Sequence, residues 1–326
     1  MDPAAFCSQT RLLIVAGKGG VGKTTVTAAL ARMAARYGLT TLIVEVEGKS
    51  GIGSAFGWTS PLTYDEVVLS PGGGSDGGAE VRARMITPDD ALVEYLRGHG
   101  LRRLSKRLVN SGAIDIVATA APGIKDILVL GKVKQLERAP EIDLIVLDAP
   151  AAGHAVTFLT SASGLLDAVT VGPIRAQAQE VIELLSDGQR CQVLLVTLAE
   201  ETPVNEVVET AFALEDRVGV SLAPVVVNGV YDHLDGLEID PEVAAAQAGV
   251  ELVAGQAQAL ARAASFRRHR QALHEEQVQR LRDALPLSQL RVPFVFGHDI
   301  GPEQLDDLAT ALARSILTLP DPVASG

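Results

Sequence analysis

A doubly wound α/β domain on a mostly parallel sheet is the fold class this sequence predicts, and three features predict it. Apolar runs of strand length recur along the chain, each bounded by Gly, Pro or charge. Helical patterns separate most of them. Continuous apolar strands alternating with helices belong to a parallel sheet covered on both faces. The third feature is a glycine-rich segment, Gly17-Lys18-Gly19-Gly20-Val21-Gly22-Lys23-Thr24-Thr25. It lies between the first apolar run and an alanine-rich stretch, Val26 to Tyr37, that reads as helix.

The first strand is Leu12–Ala16. The glycine segment after it has the spacing of a phosphate-binding loop, in the strand–loop–helix setting that motif requires. Its glycines let backbone N–H groups turn inward into an anion-holding nest, and the next helix points its positive end at the same place. The whole segment Gly17 to Thr25 is expected to surround phosphates, with Lys23 on the β- and γ-phosphates and Thr24 on Mg²⁺. Further strands are predicted at Thr41–Val46, Ile142–Leu147, Val193–Thr197, Ala223–Val227 and around Leu290–Phe296. Ser70 to Ala79 is read as a flexible loop, Glu80–Ile86 as a short extra strand, and Pro88 as a helix start. Residues 88–140 lack an obvious strand and are read as a helical insertion within one domain spanning 1–326. The tail 320–326 reads as disordered.

Composition narrows the class. A chain of 326 residues, 47% hydrophobic, has ample core for one large domain. A net charge of −12 argues against nucleic-acid binding, which depends on clustered Lys and Arg. Cys7 and Cys191 are far apart and no C-x-x-C occurs, so no thiol zinc site or iron–sulfur cluster is expected. No uncharged apolar stretch reaches about 18 residues, so no integral membrane segment is expected. The first apolar run is too short for a signal peptide, and with few cysteines this points to the cytoplasm. Arg97, Arg102, Arg103, Lys106 and Arg107 alternate with leucines. They read as a solvated helix face or as a contact surface for an acidic partner or membrane. Arg262 to Arg282 reads as an exposed helix.

The strand Ile142–Leu147 runs into Asp148, a carboxylate at the sheet edge where the phosphate loop also lies, placed to hold Mg²⁺ through water. The segment Asp148-Ala149-Pro150-Ala151-Ala152-Gly153-His154 follows. His154 reads as a catalytic base or as a packing residue at a helix start.

Two of these motifs carry a resemblance. Lys18 within K-G-G-x-G-K-T-T, together with the Asp148–His154 segment, resembles the arsenite-pump and tail-anchored-protein targeting ATPases. These belong to the dimer-forming ATPases with a deviant phosphate loop. The resemblance implies ATP and Mg²⁺ as ligands and ATP hydrolysis with Asp148 in the second phosphate-loop motif. It also implies a catalytic Lys18 that crosses a dimer interface to touch the partner's nucleotide; the alternative is that Lys18 touches only its own phosphates. Ala121 to Leu128 resembles the family's helix start in its helical subdomain, and Thr202 to Glu206 the segment before a late helix. Asn228, at the end of Val225-Val226-Val227, matches the Asn that reads the adenine edge, a role suited to an amide with both donor and acceptor. Pro293 and Phe294 match the loop that packs over the base.

The sequence also departs from that pattern. Counting back from Ala55-Phe56-Gly57, the position of the family's water-orienting aspartate is Glu47, one methylene longer. A misplacement of about 1 Å costs on the order of 100-fold in rate, so hydrolysis is expected to be slow, conditional on a partner, or absent, unless Glu47 shifts slightly and works. The clustered thiols of the arsenite pump are missing. Met1, Met33 and Met85 are the only methionines, so a methionine-rich client groove is not evident. With one phosphate loop, the chain is expected to form a homodimer or to pair with a paralogous subunit. The implied function is an ATP-driven conformational switch coupled to a client protein or membrane component. The alternative is a nucleotide-gated binding module with negligible turnover.

Overall fold

The computed structural model describes residues 1–46, 51–73, 78–98, 100, 123–150, 152–168, 172–297 and 299–321. The sheet is built from β1 (Leu12–Ala16), β2 (Thr41–Val46), β3 (Val67–Ser70), β4 (Val81–Ile86), β5 (Leu144–Asp148), β6 (Cys191–Leu198), β7 (Ser221–Leu222), β8 (Val225–Val230) and β9 (Gln289–Pro293). Its order is β3-β4-β2-β5-β1-β6-β8-β9, with β7 paired to β6. Every pairing is parallel except β3 with β4.

The central strands are largely apolar because both faces are covered, whereas β4 carries Arg82 and Arg84 and β9 carries Arg291. Along β1 the buried residues alternate: Leu12 and Ile14 enter one core, Leu13 and Val15 the other. The second core is closed by α1 (Pro3–Cys7), α2 (Lys23–Arg36), α3 (Gly51–Ala55) and α11 (Pro302–Leu317). The first is closed by α4 (Pro88–Gly98), α5 (Ile124–Glu137), α6 (Ala152–Ala168), α7 (Pro173–Ser186), α8 (Glu201–Val218) and the C-terminal part of α10 (Gln256–Ala284). A short helix, α9 (Pro241–Ala248), precedes α10.

β1 lies between β5 and β6, so the chain leaves its carboxyl end toward β2 on one side and returns to β6 on the other. In doubly wound sheets, ligands bind at the crevice that such a reversal opens.

Several expectations shift. β3, an antiparallel edge strand, was not foreseen; it is short and partly exposed, so it lacks the continuous apolar signature of the others. Thr202 to Glu206 lies inside the first turns of α8 rather than before the helix. Asn228 lies within β8 rather than at its end. The ladder with β9 continues to Val230 and Pro293 across an irregularity between Val227 and Val230, where Gly229 has φ +68°. Such a bulge re-aims a side chain without ending the strand. Of the span read as a helical insertion, α4 and α5 are helical. Arg102, Arg103, Lys106, Arg107, Ala121 and Pro122 lie outside the described residues, as do Glu47, residues 74–77 of the glycine-rich loop and 322–326 of the tail.

Candidate nucleotide site

The phosphate loop joins β1 to α2 at the carboxyl edge of the sheet. Its backbone is held by close approaches that only glycine permits. A Cβ on Gly17 would lie 2.3 Å from the Val196 carbonyl oxygen on β6. Gly22 is the N-cap of α2, at φ +87° and ψ 28°, and has no side-chain cap. The first N–H groups of α2 are thus directed at the loop's concavity, where an anion would meet them.

Three side chains, Lys23 and Thr24 from the loop itself and Asn228 from β8, fix this loop. Thr24 Oγ1 donates to Asp148 Oδ2 at 2.7 Å, joining the first turn of α2 to the end of β5. Lys23, 6% exposed, donates from Nζ to the Lys18 carbonyl at 2.9 Å, so its ammonium already sits over the loop. Asn228 Nδ2 donates to the Val21 carbonyl at 2.9 Å. The amide's orientation follows from that contact, because a carbonyl oxygen only accepts. Its Oδ1 is then the half not engaged by the loop.

Asp148 is 1% exposed, and its register partner on β2 is Glu45, also 1% exposed. Directly paired residues of neighbouring strands point to the same face, so two carboxylates converge beside Thr24 on the α2 side. This donor set of carboxylate and hydroxyl oxygens suits a hard cation such as Mg²⁺. Thr24, Asp148 and Glu45 are the residues that could hold it. Glu45 was not singled out from the sequence, although a charged residue inside the otherwise apolar run Thr41–Val46 was the available signal.

Lys18 Nζ pairs with Glu206 Oε1 of α8 at 3.1 Å, with 43% of the lysine side chain exposed. An exposed pair of this kind holds weakly, with contributions of roughly 0–1 kcal/mol, so Lys18 is readily released to another anion.

At the β8–β9 end of this edge, Phe294 N–H donates to the Val230 carbonyl at 2.9 Å, which places Pro293 and Phe294 beside the bulge at Asn228. Phe294 belongs to an aromatic group that sequence reading missed, with Tyr231 at 5.1 Å and Phe296 at 4.9 Å between ring centroids. Arg267 lies 4.3 Å from the Tyr231 ring centroid. Under them His274 stacks on Tyr231 at 5.2 Å and accepts the Tyr231 N–H on Nδ1 at 3.2 Å. That bond requires an unprotonated Nδ1. Burial, then the Arg270 charge, hold the imidazole below its ordinary value of 6.5.

The structure therefore gathers Gly17 to Thr25, Asp148, Asn228, Pro293 and Phe294 along one sheet edge. Glu47 lies outside the described residues, and so does the side chain of His154, whose backbone is in α6.

A loop of this geometry at the reversal of a parallel sheet defines a phosphate-loop nucleotide-binding protein. The chain belongs to the CobQ/CobB/MinD/ParA nucleotide binding domain family, which it matches over residues 12–254. Within that class it is 35% identical over 243 residues to the ATPase BagA of Mycobacterium tuberculosis, covering 70% of this chain and 68% of that protein. It is 28% identical over 239 residues to a Halobacterium salinarum protein named as an arsenical pump-driving ATPase, covering 68% of this chain and 35% of the relative. The Escherichia coli arsenical pump-driving ATPase is 26% identical over 238 residues, covering 67% of this chain and 39% of the relative. No helix among the described residues is long and apolar enough to cross a membrane.

Proposed function

We propose that this chain is an ATP-hydrolysing conformational switch that works as a pair of subunits. ATP lies along the carboxyl edge of the sheet, its phosphates within Gly17 to Thr25. Lys23 moves from the Lys18 carbonyl to the β- and γ-phosphates. Mg²⁺, held by Thr24 and Asp148, supplies neutralisation of the phosphate charge. Asn228 Oδ1 accepts from the exocyclic amine of adenine while its Nδ2 holds Val21, and Pro293 and Phe294 cover the base. Lys18 leaves Glu206 and reaches the nucleotide of the second subunit, a copy of this chain or a paralogue. Nucleotide state then sets affinity for a client protein or a membrane component. The observation that carries this reading is the joint made by Lys23, Thr24, Asp148 and Asn228 around one glycine loop.

Glu47 favours a second reading, a nucleotide-gated binding module with negligible turnover. Single-turnover hydrolysis on the parent, Glu47→Asp and Glu47→Ala separates the two. A misplaced water predicts faster turnover for Glu47→Asp. Equal rates for all three proteins would remove Glu47 from catalysis and favour the binding module. For the two-subunit contact, Lys18→Ala should still bind ATP but lose ATP-stabilised association. An unchanged ATP effect in the ultracentrifuge would reject the cross-subunit role.

A further inference from the structure

Between β8 and β9 no residue from 231 to 273 is buried, although the segment contains α9 and most of α10. Helix α10 joins the core only through His274, Val278 and Leu281, in its C-terminal half. Its earlier turns pack instead against α9 and the loop 234–239, and a slot of about 530 Å³ opens between them.

Helix periodicity sets the lining of this slot. On α10 it takes Leu260, Ala263, Ala264 and Arg267, spaced i, i+3, i+4 and i+7. On α9, Ala244, Ala245 and Ala248 lie on one face in the same way. Alanine at these positions leaves a gap that leucine would fill. Leu234, Ile239, Val250 and Leu260 also line the slot and are between 41% and 58% exposed, so their apolar surface stands in water. Covering such surface is favourable in proportion to its area.

Charge and size decide what fits there. Arg267 is the one charged residue in the lining among the described residues. It stands about 10 Å along α10 from Leu260, at the end nearer the sheet. Its guanidinium lies 4.3 Å from the Tyr231 ring centroid, and Nη2 donates to the Asp232 carbonyl at 3.1 Å. Nε is buried and has no hydrogen-bond partner, and the side chain makes no ion pair among the described residues. A guanidinium carries five N–H donors, and a buried one left unpaired is costly. An apolar slot with a single cation at its end complements an apolar chain that bears an anionic head. Volume decides against a helix from a partner. Two turns, the length the slot offers, occupy roughly 850–1,200 Å³ at a helix diameter of about 10–12 Å, well above 530 Å³. The observed volume falls within the roughly 300–1,000 Å³ of small-ligand sites.

We infer that this slot binds an alkyl carboxylate of the fatty-acid type, its chain between α9 and α10 and its carboxylate on Arg267. The site is separate from the phosphate loop and stands whether or not the two-subunit reading above holds. A neutral amphiphile of the same length keeps the apolar contacts but forgoes the charge-assisted bonds, and a cationic one meets Arg267 as a like charge.

Titration calorimetry on the full chain at neutral pH tests this, with decanoate, 1-decanol and decyltrimethylammonium each kept below its micelle or solubility limit. The parent should bind decanoate at least tenfold more tightly than decanol, and the cation most weakly. Arg267→Gln should bring decanoate down to the level of decanol while leaving decanol unchanged. Ala264→Phe fills the slot and should weaken both at least tenfold. Circular dichroism and urea unfolding verify that the two variants are folded. A parent that does not bind decanoate, or that binds it no better than decanol, overturns the proposal. A preference that survives Arg267→Gln, or an Ala264→Phe protein that binds like the parent, puts the ligand elsewhere and does the same. So does a parent that ignores decanoate but sediments with phosphatidylglycerol vesicles, which would give the slot to a membrane surface. Self-association that Ala264→Phe abolishes, without decanoate binding, would give it to a second copy and equally defeat the assignment.

Discussion

Gly22→Ala isolates the joint between Asn228 and the phosphate loop. Gly22 sits at φ +87°, and a Cβ built there would lie 2.2 Å from Asn228 Nδ2. The left-handed conformation costs a non-glycine residue about 1–2 kcal/mol. The second contact is to the far end of a side chain, so Asn228 rotates away and gives up its bond to the Val21 carbonyl, a loss of about 1 kcal/mol. The sum is about 2–3 kcal/mol. Gly20 provides the control, because its φ is +84° but a Cβ there meets nothing within 4 Å. Gly20→Ala should therefore carry only the backbone cost. Urea unfolding of the nucleotide-free protein, read as a change in midpoint at constant slope, measures both. Gly22→Ala should exceed Gly20→Ala by about 1 kcal/mol, roughly a fivefold change in the folding equilibrium. In an Asn228→Ala background that excess should vanish, because nothing is left to collide with. Equal costs for the two glycine variants, or an excess that survives in the Asn228→Ala background, would refute the argument.

Three other expectations follow from the same geometry. Asp148→Asn keeps the shape that accepts the Thr24 hydroxyl but removes the charge, so the gain in ATP affinity on adding Mg²⁺ should fall at least tenfold; calorimetry with and without the ion decides, and an unchanged gain would count against Asp148 as a metal residue. His274 is held below 6.5 by burial and by Arg270, so below that pH the unfolded chain takes up a proton the folded chain resists; this contribution is full above about pH 6.5 and lost on acidification through the folded value. His274→Gln should then flatten the fall in stability between about pH 6.5 and 5, and an identical slope would rule the histidine out. Burial, with Asp2 adding to it, pushes the Cys7 thiol up to about 12, and burial, with Glu137 adding, raises Cys191 as well, so a maleimide at pH 8 should label neither until the chain unfolds. Labelling of the native protein at the rate of a free thiol would contradict that packing.

The phosphate loop was legible in the sequence because its chemistry is local. Gly17, Gly22, Lys23 and Thr24 do their work within a single strand–turn–helix, so spacing alone carries the signal. The parallel sheet was legible for a related reason. Strands buried on both faces are apolar at most positions, and β1, β2, β5, β6 and β8 stand out as such runs. β3 did not, because a short, half-exposed edge strand pairs on one side only and needs no such run. The tertiary structure decided the rest through contacts between distant segments. Residues 21 and 228 meet only because β8 is bulged at Gly229 and pairs beside β6, and this commits the Asn228 Nδ2 to the loop. Glu45 becomes a partner of Asp148 only through the register of β2 on β5, since sequence distance says nothing about which strands adjoin. Lys18 is recognisable as a cation in a glycine loop, but its pairing with Glu206 depends on where α8 begins. The segment between β8 and β9 was legible only in part: Arg262 to Arg282 reads as an exposed helix, but that no residue from 231 to 273 is buried was decided by the fold.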